Sequence, residues 1–144
     1  MLDHQKICEL IPHSTSMCLL DHVTKIDDNK IICTSNSHKL SNNPLRNTNE
    51  LPMISLLEYG AQAMAVHGRL KSDQQQSRDL EEGYLAALRD IKITQGDLSL
   101  VKDELQIHAE KIFSDAGNMI YSMEIHAGSK VLASGRATVV AKFK

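Results

Sequence analysis

The sequence predicts an α+β domain in which one antiparallel sheet wraps around a single long central helix. Two observations carry that prediction. The stretch from Leu51 to Leu70, LPMISLLEYGAQAMAVHGRL, is apolar around nearly its whole circumference and so belongs beneath a covering layer. The segments after it alternate apolar and polar residues with period two, as strands with one buried face do. Residues 1–144 show no internal repeat and no second domain, and their number suits one domain with its own core.

Taken in order, Asp3 to Ile11 reads as a short helix that delivers the chain into Pro12-His13. Met17 to Ile26, MCLLDHVTKI, is an apolar run closed by the turn signal Asp27-Asp28-Asn29-Lys30. Lys30 to Ser37, KIICTSNS, is rich in β-branched residues, so the two segments pair as a hairpin. His38 to Glu50, HKLSNNPLRNTNE, is dominated by residues that favour loops. Pro52 suits a first helical position, where its missing N–H would be unbonded anyway. The helix is expected to stop near Gly68 to Leu70, and Lys71 to Glu82, KSDQQQSRDLEE, to be a polar, flexible connection. Gly83 to Thr94 reads as a strand. Asp103 to Ile112 follows, with Leu105, Ile107 and Ala109 on one face, and then Met119 to His126, with Met119, Tyr121, Met123 and Ile125 on one face. Lys130 to Phe143 closes the chain with Val131, Ala133, Gly135, Ala137 and Val139 in line.

Composition removes several classes of function. The formal charge is −2, and the 16 basic residues are scattered, which gives no electrostatic platform for nucleic acid. With no Trp and two Phe there is no base-stacking surface either. No apolar run approaches the roughly 20 residues of a membrane span, and the N-terminus lacks the basic flank and apolar run of a signal peptide. A cytoplasmic protein is the expectation. Cys8, Cys18 and Cys33 are odd in number and lack C-x-x-C spacing, so they are expected to be small apolar fillers in a reducing compartment, not a disulfide or zinc framework. The seven histidines are dispersed, and neither a metal nor another cofactor is expected.

The residue that asks for an explanation is Glu58, a carboxylate on an otherwise apolar helix, where it must be paired, protonated or functional. Gln62 lies four residues on and shares its face. Either Gln62, a backbone amide or an arginine such as Arg89 simply holds the carboxylate, or Glu58 is an acid beside a bound substrate with Gln62 bonding it or the substrate. Hairpin, long helix, then antiparallel strands is the hot-dog fold in outline.

Four stretches resemble β-hydroxyacyl-acyl-carrier-protein dehydratases. Leu10-Ile11-Pro12-His13 with Met17-Cys18-Leu19-Leu20-Asp21-His22-Val23 resembles their opening motif. Leu51-Pro52 leading to Leu57-Glu58-Tyr59-Gly60-Ala61-Gln62 is similar to the start of their central helix. Gly83-Tyr84-Leu85 with Ile91-Lys92-Ile93, and Ala133-Ser134-Gly135-Arg136-Ala137, are similar to later strands. The segments NPLR, LLEYGAQAMAVHG and GYLAALRD look more specifically like a divergent branch of 3-hydroxyacyl-carrier-protein dehydratases that includes proteins of aryl-polyene-type pathways.

The resemblance implies dehydration of a 3-hydroxyacyl thioester, held on acyl carrier protein through phosphopantetheine, to the trans-2-enoyl thioester. In that family a histidine removes the C2 proton, an acidic residue on the helix protonates the departing hydroxyl, and the site forms between subunits. Glu58 falls on the acidic position. The histidine position, fourteen residues earlier, is occupied by Pro44, and the glycine after the helix-start proline is replaced by Met53. The candidates for the catalytic group are therefore Glu58, His38 and His67, of which His67, about 900° on, faces away from Glu58 of its own helix. Gln62, Met53, His13 and Pro44 are the positions expected to line the acyl site. Arg46, Arg69 and Lys71 could meet the acidic surface of a carrier. A homodimer or higher homo-oligomer is expected. A thioesterase in which the carboxylate activates water, and an accessory subunit that binds acyl-carrier without chemistry, are the competing readings.

Overall fold

A computed structural model describes residues 2–11, 17–75 and 80–143. The elements run β1 (Leu2–Asp3), α1 (His4–Leu10), β2 (His22–Ile26), β3 (Lys30–Ser35), α2 (Leu56–Gln75), β4 (Leu80–Ile93), β5 (Leu105–Asp115), β6 (Asn118–Ala127) and β7 (Lys130–Phe143). All seven strands join one sheet in the order β1-β2-β3-β5-β6-β7-β4, with every pairing antiparallel. This is the hot-dog architecture.

The expected hairpin is present as β2 and β3, turned at Asp27, whose Oδ1 accepts the N–H groups of Asn29 and Lys30 at 2.9 and 2.8 Å. Asp3 caps α1 by accepting the Lys6 N–H at 3.1 Å. Along β5, Leu105, Ile107 and Ala109 point into the core, and along β6 Tyr121, Met123 and Ile125 do the same. The last strand departs from strict alternation. A register shift opposite Ile125 and His126 buries Leu132 and Ala133 together and leaves Val131 exposed.

Three expectations are corrected. The long helix does not run from Leu51 to Leu70. Pro52 is extended (φ −60°, ψ 142°), Met53–Ser55 form a tight 3₁₀ turn, and the α-helix begins at Leu56 and continues to Gln75. The expected connection from Lys71 to Glu82 is thus helix as far as Gln75 and strand from Leu80, and residues 76–79 lie outside the described residues. The helix is also not covered on every side. Leu56, Tyr59, Ala63, Val66 and His67 are fully buried, whereas Glu58, Ala61, Ala65 and Gly68 form a half-buried line along another face. Finally, Cys8 and Cys18 are bonded to each other. Only Cys33 behaves as a buried filler, its thiol pushed up to about 12 by loss of solvent.

Candidate active site

Because α2 starts at Leu56, Glu58 sits in its first turn and not near its middle. One turn on, Gln62 is 1% exposed and fully engaged. Its Nε2 donates to Glu58 Oε1 at 3.1 Å and to Met17 O at 2.7 Å, while its Oε1 accepts the Leu19 N–H at 2.9 Å. The helix spacing of four residues places the two side chains together, and the strap before β2 holds the amide in one orientation. Glu58 is thus a positioned carboxylate on the half-open face of α2. Small neighbours flank it, and a Cβ added to Gly68 at the far end of that face would meet nothing within 4 Å.

A second polar network, not foreseen from the sequence, fixes the helix on its other side. Tyr59 is fully buried, and its hydroxyl lies 2.7 Å from Ser37 Oγ and accepts from Asn43 Nδ2 at 3.1 Å. Ser37 Oγ donates to Leu19 O at 2.8 Å, so the strap is tied to both networks. The signal was Tyr59 itself, since a buried phenol needs a partner. Burial raises its pKa, so the hydroxyl stays protonated.

The other candidates separate. Pro44 is exposed, and it is the neighbouring Asn43 that turns inward. His38 is fully buried in a 3₁₀ turn, with Nε2 donating to Val101 O at 2.9 Å; its Nδ1 has no hydrogen-bond partner among the described residues. That turn touches α2 through Ser37 and Tyr59, and Tyr59 lies about 100° around the helix from Glu58. His67 is likewise buried, accepting from Tyr121 Oη at 2.6 Å through Nδ1 and donating to Asp27 O at 3.0 Å through Nε2. Burial lowers the pKa of both rings. His13 lies outside the described residues; Met17, four positions later, is bonded to Gln62.

Met53 is buried under the helix start, against the turn at Gly96. Asp97 pins that start, its Oδ1 accepting the Leu51 N–H at 3.0 Å, while Leu51 O accepts the Leu98 N–H at 2.9 Å. The Ser99 hydroxyl and the Leu51 N–H hold the Asp97 carboxyl below the usual range. Of the cations, Lys71 pairs with Asp28 at 3.4 Å. Metal-ligand spacing occurs among the described residues only at His4, Cys8 and Cys18, on α1 and the strap, and there the two sulfurs are bonded to each other.

No curated protein matches the chain in sequence. Among solved structures, the dehydratase heterocomplex ApeI:P from Xenorhabdus doucetiae is similar, at 23% identity and a TM-score of 0.79 over 99% of this chain and 92% of that one. A mutant thioesterase from Pseudomonas aeruginosa matches at 12% identity and TM-score 0.71 over 100% and 96% of the two chains. A hypothetical thioesterase with coenzyme A from Streptococcus pneumoniae matches at 16% and 0.60, over 85% and 86%. These likenesses establish the shared hot-dog fold, and none of the three is close enough in sequence to assign chemistry. The assignment comes from the family described as ApeP-like: ApeP dehydratase, which matches residues 5–143. With nearly the whole chain matched, the protein belongs to the ApeP-like dehydratase family.

Proposed function

We propose that this protein takes part in dehydrating a 3-hydroxyacyl thioester on acyl carrier protein to the trans-2-enoyl thioester, in cytoplasmic fatty-acid or polyene-like biosynthesis, with Glu58 as the acid. The observation that carries the reading is the carboxylate in the first turn of α2, oriented by Gln62 on a helix face lined with small residues. Glu58 protonates the departing C3 hydroxyl as a base takes the C2 proton. Backbone dipoles at the helix start favour negative charge building on the thioester oxygen. The base is an imidazole other than His67, whose two ring nitrogens are both bonded, and other than His38, which is fully buried with its turn against Tyr59, about 100° around α2 from Glu58.

The site is completed by a second hot-dog subunit, either a copy of this chain or a paralogue. The ApeI:P relative is a heterocomplex, which supports a partnered site. The joint is the free edge of β4, fourteen residues long, with Leu85 48% and Leu88 39% exposed in the single chain. An edge of that length and character is normally covered.

The decisive experiment supplies 3-hydroxyacyl-carrier protein and follows enoyl product and free thiol separately. Enoyl product that falls about 10²–10⁴-fold in Glu58→Gln supports the proposal. Free thiol instead indicates hydrolysis, the thioesterase reading. Neither product, with carrier binding retained even when a histidine-bearing dehydratase subunit is added, indicates an accessory role. His13→Ala separates a base within this chain from one carried by the second subunit.

A further inference from the structure

The bonded pair Cys8–Cys18 joins α1 to the strap that runs into β2. Its two sulfurs have unequal surroundings, Cys18 being 6% exposed and Cys8 half-buried. One helical turn before Cys8, His4 brings Nε2 to 3.5 Å from Cys8 Sγ. The other ring nitrogen is fixed by Leu20 O, to which Nδ1–H donates at 2.7 Å, with Asp21 Oδ1 3.9 Å away. Fixing Nδ1 in this way aims the Nε2 position at sulfur. A neutral ring can take the proton of a Cys8 thiol. A protonated ring can donate Nε2–H to a Cys8 thiolate while keeping Leu20 O. Both states favour Cys8 as a nucleophile. Cys33, buried and with its thiol pushed up to about 12, does not compete.

We propose that Cys8 and Cys18 form a reversible thiol–disulfide exchange site in which Cys8 is the reacting sulfur and His4 its base. In the oxidising direction, Cys8–SH gives its proton to His4, and the thiolate attacks a low-molecular-weight disulfide RSSR. A Cys8–S–S–R bond forms as the R–S–S–R bond breaks, releasing RS⁻. Cys18, its proton passing to the released thiolate, then attacks Cys8 Sγ and expels the second RS⁻, which takes the proton held by His4. Two protein thiols are oxidised by two electrons, and one RSSR is reduced to two RSH. A low-molecular-weight thiol reverses the sequence by attacking at Cys8. Disulfides in cytosolic proteins are typically transient and redox-responsive, which suits the proposed compartment.

The bridge also bears on the carboxylate. Met17 O and the Leu19 N–H, on either side of Cys18, are the groups that hold Gln62, and Gln62 holds Glu58. Reduction therefore removes the covalent tie between the strap and α1, leaving the His4–Leu20 hydrogen bond, and loosens the amide that orients Glu58. This coupling rests on the reading of Glu58 as the acid; the exchange chemistry does not.

The test uses the full chain in glutathione buffers of graded ratio, with the disulfide followed by thiol mass-labelling. Expected are reversible interconversion under native conditions, glutathione accumulating on Cys8 in Cys18→Ser but not on Cys18 in Cys8→Ser, and faster amide hydrogen exchange at Leu19 after reduction. His4→Gln should slow exchange about ten-fold and change its pH profile, leaving the thermal midpoint of the oxidised protein in place. The proposal is overturned by a bond that resists excess glutathione in the folded protein, by equal labelling of the two cysteines, or by His4→Gln exchanging like the parent. Tight zinc uptake by the dithiol that blocks reoxidation would also overturn it, identifying the trio as a metal site instead. None of these readouts needs an acyl substrate, so their failure is distinct from failure of the dehydratase reading.

Discussion

Gln62 satisfies three groups at once, and the orientation of Glu58 depends on that arrangement. Replacing it with Leu keeps the volume but leaves the Leu19 N–H and Met17 O without this partner, a cost of about 1–3 kcal/mol by denaturant titration. Enoyl formation should fall with it, through kcat more than KM, because Gln62 acts by holding Glu58 in place. His67 makes a separate prediction. Burial lowers its pKa from the ordinary 6.5, so the folded protein binds fewer protons there than the unfolded chain. Its contribution to stability is complete above the unfolded value and is lost as pH falls through the lowered one. His38 acts in the same direction. The urea midpoint should therefore drop between about pH 7 and pH 5, and His67→Gln should flatten part of that drop. Glu58 and Gln62 were legible as a pair because helical spacing alone brings them together. The use of His38 and His67 was not, since Val101, Asp27 and Tyr121 reach them only in the folded chain.

The start of α2 shows how an element's register sets its chemistry. The sequence reads as helix from Leu51, yet the Leu51 N–H is taken by Asp97 and the Leu51 carbonyl by the Leu98 N–H. Those cross-chain bonds hold Leu51 and Pro52 extended and postpone the helix to Leu56, which moves Glu58 into its first turn. Asp97→Ala should lower thermal stability and alter the amide exchange of Met53 to Ser55 before it affects any strand. Farther along, Gly60 permits close contact between α2 and β6, where an added Cβ would lie 2.5 Å from Met123 Sδ. The atom in the way belongs to a flexible side chain, and Ala favours the helix over Gly, so Gly60→Ala should cost about 1 kcal/mol or less. Combined with Met123→Ala, the loss should be less than the sum of the two single losses, because the second substitution removes the atom in the way.

Seven strands form one sheet whose two edges differ: β1 contributes two residues, and β4 contributes fourteen. Leu85→Lys on β4 should dissociate the proposed oligomer in sedimentation equilibrium while far-UV circular dichroism is unchanged. An oligomer unaffected by that substitution would place the joint elsewhere. The order of elements, the hairpin, the buried faces of β5 and β6 and the position of the acidic residue could all be read from local pattern, because periodicity and turn chemistry act over a few residues. The Cys8–Cys18 bond, the Tyr59–Ser37–Asn43 network and the inward turn of Asn43 in place of Pro44 join residues far apart in the chain. No local pattern encodes such contacts; they exist once β2, β3 and α2 pack. The helix sequence marked out Glu58 as a charge in need of a purpose. The packing of the strap against Gln62, and the face of α2 left half open beside it, supplied the geometry for that purpose.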